Sequence, residues 1–129
     1  MKRLLLALPL ALLAGSVLAQ EIAPDTYKDL WCATAYKQTT PVELMPPEDR
    51  PRAQIFLDAA DKLLERGVAG MASAGFAADT IDKFKQNLLV RVAMQVQQDG
   101  DAEFQPAECD ALMRELLPPE FLADQSEAQ

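Results

Sequence analysis

Residues 79–98 read DTIDKFKQNLLVRVAMQVQQ, and their periodicity decides the fold class. Ile81, Phe84, Leu88, Val92 and Val96 recur every three or four positions, the spacing of one side of an α-helix. Leu89 and Ala93 broaden that side into a stripe wide enough to face a core. Asp79-Thr80-Ile81-Asp82 offers short acidic side chains to the free backbone donors of a first turn. Asp99-Gly100-Asp101 is the matching stop signal. No segment of the chain alternates apolar and polar residues long enough to predict a sheet.

The same period extends on both sides. Downstream, Pro106 suits the first position of a fourth helix, where Cys109, Leu112, Met113 and Leu116 form an apolar face ended by Pro118-Pro119. Upstream, a second helix is expected from Glu48 or Asp49, with Pro51 tolerated in its first turn. Its core stripe is Phe56, Ala60, Leu63, Leu64, Gly67 and Met71, and Asp58, Asp61, Lys62, Glu65 and Arg66 read as a solvated face. Gly67, Gly70 and Ala74 would let another helix approach closely, and Gly75 suits a left-handed stop. The first helix opens at Pro24-Asp25-Thr26, with Asp25 or Thr26 as cap. It carries Tyr27, Leu30, Trp31 and Thr34 on one side, then fades near Thr39-Thr40-Pro41. Pro41, Pro46 and Pro47 mark 41–47 as an extended connector. The expected architecture is all-α: a single four-helix domain over 20–123, then a flexible acidic tail over 124–129.

The chain opens with Met1-Lys2-Arg3, an apolar run from Leu4 to Ala14, and Ser16-Val17-Leu18-Ala19. Basic, apolar, then small is the order of a cleavable secretory signal, with the cut expected between Ala19 and Gln20. A spanning anchor needs about 20 apolar residues, and the charges at Glu21 and Asp25 come too early. Leu13-Ala14-Gly15-Ser16 resembles a bacterial lipoprotein signal, but a serine has no thiol to carry the lipid. The expected product is exported, to a bacterial periplasm, with no stable membrane anchor.

Cys32 and Cys109 both fall after the cut. An even pair in a small exported domain predicts a disulfide, here joining the first and fourth helices. No Cys-x-x-Cys is present, so thioredoxin-like exchange has no support.

Removing 1–19 takes away Lys2 and Arg3, leaving ten bases against 20 acids and a net charge of −10. Residues 92–129 hold nine of those acids and one base, Arg114. Such a field repels phosphate backbones and anionic lipid, so nucleic acid is a poor partner candidate.

Catalytic motifs are sparse. The chain has no histidine, which removes Ser-His-Asp and Cys-His nucleophilic sites and most zinc and copper sites. Ser73 and Ser126 sit in no Gly-x-Ser-x-Gly elbow. Asp99, Asp101 and Glu103 match the opening spacing of an EF-hand loop. Phe104 then stands where glycine makes the turn, and Pro106 and Asp110 depart further, so no calcium site is expected. Met71, Met94 and Met113, with Trp31, resemble a cuprous set in residue type only. All three methionines read as core packing. A carboxylate-pair hydrolase needs a buried acid in an apolar cleft, whereas every acid here reads as lying on a polar face, at a cap or in a loop.

The order signal, early Cys, helices, late Cys is similar in outline to the small acid-stress chaperones of the bacterial periplasm, which are disulfide-clamped helical proteins. The similarity concerns architecture and transfers no residues. The expectation is therefore a non-enzymatic protein-interaction module with a protein partner and no cofactor, acting through an apolar helix surface, with the acid-stress chaperone as its sharper form. The alternative is a helical accessory subunit or inhibitor of an exported enzyme.

Overall fold

The computed structural model describes residues 21–98 and 101–127, with side chains as far as residue 123. The expected signal with its Ala19–Gln20 junction, and the Asp99-Gly100 stop, lie outside the described residues. The fold is all-α: α1 (Pro24–Thr39), α2 (Arg50–Ser73), α3 (Ala78–Gln97), α4 (Pro106–Arg114) and α5 (Pro119–Glu127). A single 3-10 turn, Val42–Leu44, replaces the extended connector expected between α1 and α2.

The four anticipated helices are all present, and a short fifth follows them. Pro118-Pro119 was expected only to stop α4. Instead Pro119 occupies the first turn of α5, where its missing N–H costs nothing. The stretch expected as a flexible tail from residue 124 therefore begins inside a helix. Phe121 pins α5 to α2: its ring meets Phe56 edge-on at 5.1 Å, and the Arg52 guanidinium lies 5.3 Å from its centroid.

Neither α1 nor α3 starts on the acidic cap expected of it. Ala23 and Ala77 are the N-caps, with no side-chain bond, so Asp25 and Asp79 lie inside the first turn, where their charge complements the helix dipole. α2 ends as its sequence suggests. Gly75 has φ 93°, the Gly75 amide donates to the Ala72 carbonyl and the Phe76 amide to that of Met71. That reciprocal pair closes the helix only if the residue between accepts a left-handed backbone.

α1 is the central helix, packed on α2, α3 and α4. Six consecutive residues, Asp29 to Thr34, are buried. The Thr34 hydroxyl donates to the Leu30 carbonyl at 2.7 Å, so its burial leaves no donor unpaired. The Cys32–Cys109 disulfide joins α1 to α4, with 5.3 Å between Cα atoms.

The α1–α2 contact uses the predicted small residues. A Cβ on Gly67 would stand 2.6 Å from Leu30 Cγ, and one on Gly70 would stand 2.6 Å from Thr26 Oγ1. Leu30 is fully buried and cannot move aside, whereas Thr26 is only half-buried. Gly67→Ala is therefore expected to destabilise by about 1–2 kcal/mol, overpacking outweighing the gain of about 1 kcal/mol in helix propensity. Gly70→Ala should cost clearly less. Urea midpoints of the two variants check the order, and a Gly67→Ala protein as stable as wild type would refute the close-approach account.

Candidate functional site

Three features stand out: a buried ion pair, an outward apolar row and a pair of clefts beside the disulfide. The ion pair corrects the expectation that every acid sits on a polar face, at a cap or in a loop. Asp29 is buried, and Arg66 grips it with two bonds, Nε to Oδ2 at 2.7 Å and Nη2 to Oδ1 at 2.8 Å. Arg66 Nη1 also reaches Glu115 Oε2 at 3.1 Å, so one guanidinium ties α1, α2 and α4. The bonds to Asp29, aided by Glu115, hold the guanidinium pKa above its already high ordinary value. Arg66, read from sequence as part of a solvated surface, is a structural clamp. Asp61, read likewise, pairs with Lys37 of α1.

The described part of the segment between α3 and α4 is anchored through Glu103 and Phe104. Asp101, Glu103 and Asp110 do not converge. Glu103 Oε1 accepts from the Tyr27 hydroxyl at 2.8 Å and from Gln95 Nε2 at 2.9 Å. Gln95 Oε1 in turn accepts from Trp31 Nε1 at 2.8 Å. Phe104 packs edge-on against Trp31 and tilted against Tyr27, centroids 5.5 and 6.1 Å away. Burial raises the Tyr27 pKa, opposed by the bond from Arg91. Among the described residues no group of three or more Cys, Asp or Glu side chains has the arrangement of a metal site. α4 opens with a capping box in which Glu108 accepts from the Gln105 amide. That bond first, and Lys28 second, lower the Glu108 pKa.

Met71 and Met113 are buried in the core as expected. Met94 is not: it is 59% exposed, with Val90 at 63% and Leu89 at 49%. Val96 and Leu89, assigned from sequence to the core stripe of α3, lie largely open. The helix turns Ile81, Leu88 and Val92 inward. Leu89, Val90, Ala93 and Met94 then follow one another at the i, i+1, i+4, i+5 spacing of a second, outward stripe. The signal was in the sequence: Leu88–Val96 is apolar at seven of nine positions, and such a segment has no unique inward side. From Lys83 to Gln98 the helix carries Lys83, Lys85 and Arg91 and no acid. Lys85 is half-buried and Arg91 reaches the Tyr27 hydroxyl, so the outward row is apolar rather than basic, with the acids Asp79 and Asp82 nearer the start of the helix.

A cleft of about 450 Å³ lies between α1, α3 and α4, walled by Trp31, Tyr36, Val96, Phe104 and the disulfide's Cys109. A second, of about 600 Å³, lies between α1 and the start of α2, beside Met45, Pro46 and Phe56. Tyr36 and Asp110 border both, the Tyr36 hydroxyl donating to Asp110 Oδ1. Asp29, the one buried acid among the described residues, borders neither. Among the described residues no helix is long and apolar enough to cross a membrane.

No family model, curated protein or solved structure matches this chain.

Proposed function

We propose that the chain is an exported, non-enzymatic protein-binding module that holds apolar segments of other exported proteins on the outward face of α3. The observation that supports this most is the exposed row Leu89, Val90 and Met94, which water would not leave uncovered at no cost. The buried acid, which an enzyme would place in a cleft, is instead neutralised by Arg66.

The test compares wild type with a Val90→Lys, Met94→Lys double variant, whose added charges persist at any pH used. With heat-aggregating citrate synthase at neutral pH, wild type should suppress light scattering near equimolar ratio. The double variant should need about tenfold more protein. Equal potency, or no suppression by wild type at about ten to one, would overturn this reading and leave a dedicated partner of one exported enzyme in its place.

A second reading, holding that strengthens in acid, draws on a different observation. Most side-chain ties between helices have a carboxylate as one member: Asp29–Arg66, Glu115–Arg66, Glu103–Tyr27, Glu108–Lys28, Asp110–Tyr36 and Asp61–Lys37.

A further inference from the structure

We infer that the cleft between α1, α3 and α4 is a binding site for an organic ammonium group on an apolar stem. Its volume, about 450 Å³, falls in the range of small-molecule sites. Three of its walls are aromatic, Trp31, Tyr36 and Phe104, and aromatic faces attract cations. Asp110 is the sole charged residue on its lining among the described residues.

The hydrogen-bonding state of the lining selects the ligand's sign. The Trp31 indole N–H is taken by Gln95, and the Gln95 amide N–H by Glu103. The Thr39 hydroxyl donates to the Ala35 carbonyl, and that of Tyr36 to Asp110. Beyond the exposed Gln98 amide and the second Gln95 N–H, the lining side chains keep no donor for an anion. Asp110 spends one carboxylate oxygen on Tyr36 and has the other available. The chain's own Lys28, bonded to Glu108, already stands 5.6 Å from the Phe104 centroid, so Trp31 and Tyr36 are the aromatic walls left to a ligand cation. An ammonium group placed at Asp110 with its stem along the aromatic walls meets the free carboxylate oxygen and the apolar lining together. The acidic field of the whole chain draws such a ligand in. This site differs from the α3 row of the preceding proposal and stands or falls separately.

Trp31 is the sole tryptophan and forms part of the wall, so its emission reports occupancy. The probes are benzyltrimethylammonium, benzyl alcohol, phenylacetate and a blocked Leu-Lys-Leu tripeptide. The ammonium compound should give a saturable emission change at concentrations at least about tenfold below the neutral and anionic compounds. Asp110→Asn should weaken it about tenfold. Tyr36→Phe, which keeps the carboxylate, should leave it within about twofold, showing that the charge and not the Tyr36 tie is read. Val96→Phe, which narrows the cleft without adding a second tryptophan, should abolish the response. Circular dichroism of each variant establishes that it is folded. Asp110-dependent binding of the tripeptide alone would identify a lysine side chain as the source of the ammonium, and binding of benzyltrimethylammonium a small quaternary ammonium compound. Equal affinity for benzyl alcohol, indifference to Asp110→Asn, or no saturable change with any probe would overturn the assignment. Val90→Lys, Met94→Lys should bind the ammonium as wild type does, whatever the outcome for client holding.

Discussion

A Cys32→Ala, Cys109→Ala double variant is expected to unfold about 4 kcal/mol more easily than wild type. The bridge closes 77 residues, and the chain-entropy model gives such a loop roughly 4.5 kcal/mol, an upper figure because residual structure in the unfolded chain reduces it. The loop encloses the whole of α2 and α3. Both sulfurs are buried, Cys32 fully and Cys109 nearly so, so alanine is the proper replacement; serine would add an unpaired hydroxyl. In the open chain α4 and α5, nine residues each, are too short to persist unsupported. They should detach first. The expected shift is about 15 °C in Tm, or about 2–3 M in urea midpoint. Unfolded, unreduced wild type should take up no thiol reagent. A midpoint shift worth less than about 1 kcal/mol would show that the bridge does not anchor the fold.

The helices were legible because apolar spacing is a local property. Ile81, Leu88 and Val92 read correctly as inward, and Gly67, Gly70 and Gly75 read correctly as a close approach and a stop. What failed depended on what stands opposite. Arg66 sits among charged neighbours on a helical wheel, and nothing local says that Asp29 waits across α1. α1 itself shows little amphipathic contrast because it is buried on several sides, with polar Asp29 and Thr34 satisfied inside. Leu89, Val90 and Met94 were misread or passed over because a segment apolar all round fits a core on either side. The α1–α3–α4 cleft draws its walls from residues 31 to 110, and no periodicity can gather those.

Lowering the pH through the range from about 4.5 to about 3 is expected to loosen the helices while the disulfide keeps them together. Free carboxylic acids titrate near 4, and below that range the ten bases beyond residue 19 keep their charge while most carboxylates lose theirs. Glu108 fixes the sign for one tie. Its folded pKa is below the ordinary 4.5, so its stabilisation is complete above that value and disappears as pH falls through the lower folded value. Tyr27 works at the opposite end. Its folded pKa is raised, so its contribution is complete below about 10, disappears only as pH rises through the folded value, and plays no part in acid. Replacing the Asp29 carboxylate by an amide in Asp29→Asn would leave Arg66 facing a neutral partner, a mismatch worth several kcal/mol in buried pairs and less here because Arg66 is partly exposed. That variant should lower the thermal midpoint at neutral pH and, being less stable, should loosen at a higher pH than wild type. The α3 row remains exposed throughout, and loosened helices add apolar surface to it. Suppression of client aggregation should therefore be stronger at about pH 3 than at pH 7, and Val90→Lys, Met94→Lys should weaken it at both. An expanded state at pH 3 that holds no more client than the neutral protein would mark the transition as plain acid denaturation and remove the acid-activated reading, with α3 binding at neutral pH still to be judged on its own measurement.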